Sequence, residues 1–72
     1  MKYYFMSVDV DTESMSRETT QVVEATEQGA LIALKEARHP GYLKELAFHP
    51  AVLFRTTEHG GIRTELYVGA TF

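Results

Sequence analysis

No cysteine occurs among the 72 residues, so a chain this short must hold its fold by packing alone or against a partner. Area scaling for this size predicts burial of only about 60% of the unfolded chain's surface, which gives a thin core and a single small domain over residues 1–72. Lack of thiols also removes disulfide staples, thiolate metal ligands and cysteine nucleophiles. The apolar (44%) and charged (24%) fractions are those of a globular domain and exclude collagen-like, disordered and transmembrane classes.

Three punctuation points cut the chain into short pieces: His39-Pro40-Gly41, His49-Pro50 and His59-Gly60-Gly61. Residues 3–10 alternate as a strand does, with Tyr4, Met6, Val8 and Val10 on one face and Tyr3, Phe5, Ser7 and Asp9 on the other. Residues 11–18 are polar and read as a long, mobile connection to a second strand at 19–25 (TTQVVEA). From Thr26 the period changes. Ala30, Leu31, Leu34 and Ala37 form the apolar stripe of an amphipathic helix, and Ile32 falls outside it. Thr26 is the expected N-cap, Glu27 and Lys35 suit the two ends of the dipole, and Pro40 with Gly41 stops the helix.

Residues 42–48 (YLKELAF) are expected to form a short helical turn, and 51–58 and 62–71 a hairpin across a glycine turn. A three-residue loop, His59-Gly60-Gly61, sets Phe54 opposite Leu66, Val52 opposite Val68, Leu53 opposite Tyr67 and Arg55 opposite Glu65. A slip by one residue mixes the faces. The expected fold is α+β: a four-stranded antiparallel sheet with one covering helix, in the order β-β-α-(short helical turn)-β-β. A single helix leaves Tyr3, Phe5, Leu53 and Tyr67 on a face it cannot reach, which predicts a partner there.

Seven Lys and Arg against ten Asp and Glu give a net charge of −3 and a pI near 5.5. That balance disfavours direct nucleic-acid binding, including base stacking on Tyr3, Phe5 and Tyr67 beside Arg55 and Arg63. The first ten residues hold one lysine and an apolar run broken by Ser7 and Asp9, with no small-residue cleavage site. The expectation is a cytoplasmic protein without a membrane segment.

Candidate chemistry is sparse. His39, His49 and His59 lie ten apart on loops, but their spacing has no helical or strand logic, so they read as surface or capping residues and no metal is expected. Asp9, Asp11 and Glu13 open like a calcium loop, yet Ser14 stands where the required glycine would be. The serines lack a nucleophile-elbow context and the glycines form no dinucleotide or Walker pattern. No enzymatic activity and no cofactor are expected.

The passage Thr20-Gln21-Val22-Val23-Glu24-Ala25-Thr26, followed by Ala30 and Ala33, resembles small phage-encoded anti-CRISPR proteins, which have a comparable strand-to-helix passage in chains of this size. The resemblance covers about a third of the chain and carries no catalytic motif. It implies a non-enzymatic inhibitor in the host cell cytoplasm that binds a CRISPR effector complex and blocks nucleic-acid binding or nuclease recruitment. The residues themselves point to a protein-binding module whose contacts are Tyr3, Phe5, Glu13, Glu18 and Glu24, the acidic ones meeting a basic surface on a host nucleic-acid-processing complex. The alternative is a homodimer or larger homo-oligomer that binds a small molecule or nucleic acid at an aromatic sheet face.

Overall fold

The computed structural model describes residues 2–38 and 51–71. Strands β1 (Lys2–Asp11) and β2 (Arg17–Ala25) are followed by helix α1 (Glu27–Glu36) and strands β3 (Ala51–His59) and β4 (Ile62–Thr71). One antiparallel sheet holds all four strands in the order β2-β1-β4-β3. The expected α+β class, with four antiparallel strands and one helix, is what the described residues adopt. The expected helical turn at 42–48, with His39 and His49, lies outside the described residues.

The two central strands are the first and last of the chain. Tyr3, Phe5 and Ser7 of β1 stand opposite Ala70, Val68 and Leu66 of β4, so odd positions of β1 share one face with Val68 and Ala70. That face carries the core. Ala30, Ala33 and Leu34 of α1 pack with Val52, Val68 and Ala70, and Tyr3, Phe5 and Phe54 close around them. The Phe5 and Phe54 rings lie 5.8 Å apart, tilted at 57°, within the range favoured by aromatic pairs.

This corrects the placement of Tyr3 and Phe5, which lie under the helix and not on the face it cannot reach. Small residues line this contact: a Cβ added to Gly29 would lie 3.2 Å from Thr26 Oγ1 and at ordinary contact distance, 3.7 Å, from the Phe5 ring. With aromatic rings supplied by β1 and β3, the helix turns its small side chains inward. Hence Ala33 is buried, whereas Leu31, expected in the stripe, is exposed together with Ile32. Thr26 caps the helix as its sequence indicates, its hydroxyl accepting from Gly29 N at 3.0 Å, with Glu27 in the first turn and Lys35 in the last. The helix ends before Pro40: Ala37 is the C-cap and Arg38 takes a left-handed φ of 59°. At about 15 Å long, α1 covers half of strands that run about 33 Å.

The β3–β4 hairpin also departs from expectation. Its loop has two residues, Gly60 and Gly61, with φ of 59° and 80°, and His59 pairs with Ile62. A two-residue turn of this twist requires both residues at positive φ. Arg55 therefore stands opposite Leu66 and not Glu65, and Glu65 faces Thr56. A bulge at Phe54 absorbs one residue and restores the expected pairs Leu53 with Tyr67 and Val52 with Val68. The bulge also turns both Phe54 and Arg55 toward the helix, where Arg55 Nη2 donates to Glu36 Oε2 at 2.9 Å. Gly61→Ala should lower stability by about 1 kcal/mol from backbone strain alone, since the nearest atom to its added Cβ is 3.9 Å away. Gly60→Asn, which tolerates this φ, should lower the thermal midpoint less; equal losses would contradict the backbone explanation.

The connection between β1 and β2 is shorter and better held than the mobile loop expected. Asp11 Oδ1 accepts from Glu13 N at 2.9 Å and Ser14 N at 3.1 Å, Asp11 O accepts from Met15 N at 2.7 Å, and Met15 takes a φ of 60°. Thr12 then anchors this turn to the other hairpin, its N–H and hydroxyl both donating to Gly61 O at 3.0 and 2.8 Å. Those backbone donors hold the Asp11 carboxyl below its ordinary pKa. No helix among the described residues is long and apolar enough to cross a membrane.

Candidate functional site

The second face of the sheet carries Tyr4, Met6, Val8 and Val10 from β1, and no described element covers it. Register defines its rows. Val22, Met6, Tyr67 and Leu53 stand side by side across all four strands. This row is apolar apart from the phenol hydroxyl, and its end residues are partly exposed, Val22 58% and Leu53 39%. Beyond it lie Thr19, Val8, Glu65 and Thr56, and then Arg17, Val10, Arg63 and Glu58.

The last two rows are joined by a charged network centred on Glu65, whose side chain is only 9% exposed. Arg17 Nη2 donates to Glu65 Oε1 and, at 2.8 Å, to the Tyr67 hydroxyl, which itself donates to Glu65 Oε1 at 2.8 Å. Arg63 Nε, buried and without a hydrogen bond, faces Glu65 Oε2 at 3.4 Å. Arg17 is on β2 and Glu65 on β4, so the arginine must reach across β1, about 9.6 Å at ordinary strand spacing. Its aliphatic stem therefore roofs the β1 valines, which explains why Val8 and Val10 are buried on a face without a helix.

The network also fixes protonation. The Tyr67 hydrogen bond, followed by the charge of Arg17, holds the Glu65 carboxyl below its ordinary value despite burial. Burial first, and then the bond to Glu65, raise the Tyr67 phenol, so it remains a donor at neutral pH. Glu65 is thus an anion clamped by two guanidinium groups and a phenol. Such a group can orient its neighbours: Oε1 accepts from both Arg17 and Tyr67, while Oε2 faces Arg63 without a hydrogen bond.

The residues singled out in the sequence do not gather into one place. Tyr3 and Phe5 belong to the helix side. Glu13, in the turn after β1, and Glu18 and Glu24, on β2, are all exposed; Glu18 stands opposite Asp9 on the helix side and Glu24 opposite Tyr4 on the open side. None of the three forms an ion pair among the described residues, whereas Arg17 and Arg63 pair with Glu65 and Arg55 with Glu36. The expected aromatic and cationic face is therefore divided: Tyr3, Phe5 and Arg55 lie on one side, Tyr67 and Arg63 on the other. His59 is exposed at the end of β3, and no group of three His, Asp or Glu capable of holding a metal occurs among the described residues.

Sequence reasoning did not single out Glu65 or Arg17. The available signal was the glutamate in an otherwise apolar run, Leu66-Tyr67-Val68, together with Tyr67 two residues on and so on the same face. Fold and site define a small α+β domain with one helix-covered sheet face and one face that no described element covers. Comparison with protein-family models, curated proteins and solved structures gives no match.

Proposed function

We propose that this chain is a non-enzymatic protein-binding module that docks through the open face of its sheet. The observation that supports this most is the Val22–Met6–Tyr67–Leu53 row, an apolar stripe spanning every strand with exposed ends. A nucleic acid would need free cations beside the aromatic side chains, and on this face both arginines are paired with Glu65. A protein surface needs an apolar centre and a polar rim, which is what the row and its flanking charges supply.

The acidic side chains favour a basic partner. Glu13, Glu18 and Glu24 are exposed and form no ion pair among the described residues along β2 and its adjoining turn, spread over about 20 Å of strand and therefore suited to long-range steering. Combined with the resemblance to anti-CRISPR proteins, this supports an inhibitor that occupies a basic surface of a CRISPR effector complex. The test is target-DNA binding by a purified effector complex with this protein in excess. Binding should fall, and charge reversal at Glu13, Glu18 and Glu24 should slow association about tenfold in low salt and little in high salt. Unchanged DNA binding would overturn the inhibitor reading, and unchanged association the steering by these residues.

A further inference from the structure

We propose that the turn end of the first hairpin, residues 12–19, opens as a unit about the Thr20 bulge, and that Arg17 latches it to a carboxylate for which Arg63 is the reserve cation. Two arginines converge on Glu65, whose side chain is 9% exposed. Arg17 Nη2, from β2, donates to Glu65 Oε1 and to the Tyr67 hydroxyl, whereas Arg63 Nε, on the same strand as Glu65, is buried without a hydrogen bond, 3.4 Å from Oε2. Arg17 and Tyr67 both hold Oε1 and so fix the carboxyl just short of Arg63. A buried donor left unbonded marks an arrangement with a second, better satisfied state. Once Arg17 leaves, a small turn of the carboxyl brings Oε2 to Arg63 Nε, and the buried anion keeps a cation.

The segment before the bulge lacks an apolar anchor. Arg17, Glu18 and Thr19 are exposed, as is Met15 at the tip, whereas the part of β2 after the bulge runs into the capped helix. Few buried contacts mark the low-stability end of a fold. Besides the ladder to Val8, Asp9 and Val10, what ties residues 12–19 down is polar: the Arg17 latch and the two Thr12 bonds to Gly61 O. The β1–β2 register shifts at Thr20, whose hydroxyl donates to Ser7 O at 3.0 Å, so the ladder is already interrupted where the unit would hinge.

The closed state is favoured by what the latch covers. Val8 and Val10 are 6% and 0% exposed beneath the Arg17 stem, and opening returns them to water. The open state displays those two valines beside the apolar row, together with a free guanidinium. The device itself is independent of what docks on that face.

Hydrogen exchange followed by nuclear magnetic resonance on the full chain tests the proposal. The Asp11 N–H, bonded to Ser16 O, and the Thr12 N–H, bonded to Gly61 O, report the unit, and the Val68 N–H in central strand β4 reports global unfolding. In the wild type the first two should be protected at least about tenfold less than Val68, and their exchange should rise less steeply with urea, because local opening exposes little surface. Equal protection with equal urea dependence overturns the unit. Arg17→Ala should slow exchange of the Arg63 Nε–H with water, since that donor gains Glu65; an unchanged or faster rate overturns the reserve pairing. Arg63→Met keeps the stem but removes the reserve cation, so opening leaves a buried carboxylate without one. Asp11 and Thr12 exchange should then slow about threefold while Val68 exchange does not, and unchanged or faster exchange at Asp11 and Thr12 overturns the shared acceptor.

Discussion

Replacing Phe5 with alanine should lower the stability of the fold by about 3 kcal/mol, a large share of the roughly 4–11 kcal/mol expected for a chain of this length. The ring packs against the buried cluster of Ala30, Ala33, Leu34, Val52, Val68 and Ala70, meets Phe54 in a tilted aromatic contact and lies near Gly29. Removing the ring takes away its contacts with that cluster and leaves a cavity, and Leu34→Ala, at a fully buried position of the same cluster, should behave similarly. Urea denaturation measures both. A Phe5→Ala loss below about 1 kcal/mol would mean that the ring does not support the helix and would return Phe5 to the candidates for partner contact.

Glu65→Ala should cost about 2 kcal/mol and lower the thermal midpoint by about 10 °C. It leaves Arg17 and Arg63 facing each other over Val8 and Val10 without their anion. The figure sits below that of a fully buried pair because Arg17 is half exposed. Acid should act in the same direction. The folded-state pKa of Glu65 lies below its ordinary value near 4.5, so its stabilisation is complete above that value and is lost as pH falls through the folded one. Glu65→Gln should show a shallower acid limb than the wild type; parallel limbs would mean that the network does not stabilise the fold.

Both substitutions bear on function as well. Phe5 sets the helix on one face and thereby leaves the other open, while Glu65 neutralises the arginines that would otherwise make that open face attractive to phosphates. The same residue orients Tyr67, whose ring forms part of the apolar row.

Local signals settled local structure. Alternation from Tyr3 to Val10, the change of period after Thr26, the threonine cap and the presence of a glycine turn between the last two strands depend on neighbours a few residues apart, and each was legible in the chain itself, although the length of that turn was not. The face assignment within β1 was legible too, with Tyr3 and Phe5 opposite in direction to Tyr4 and Met6. What could not be read was which face the helix would take, because that depends on β1 pairing with β4, some 60 residues away. The Phe54 bulge was hidden for a related reason. A two-residue turn and a bulge cancel in register, so side-chain patterning fits a three-residue loop equally well at Val52 and Leu53.

The candidate site was the least legible part, since Arg17, Arg63, Glu65 and Tyr67 come from β2 and β4 and meet only across β1. The sequence by itself determined a cysteine-free chain of four strands and one capped helix, with too little helix to cover both faces of a sheet. Only the tertiary structure decided that β1 and β4 are central, that the aromatics of β1 go under the helix, and that the open face carries an apolar row beside a neutralised charge cluster. Strand order joins residues across the whole chain, and no local preference encodes it.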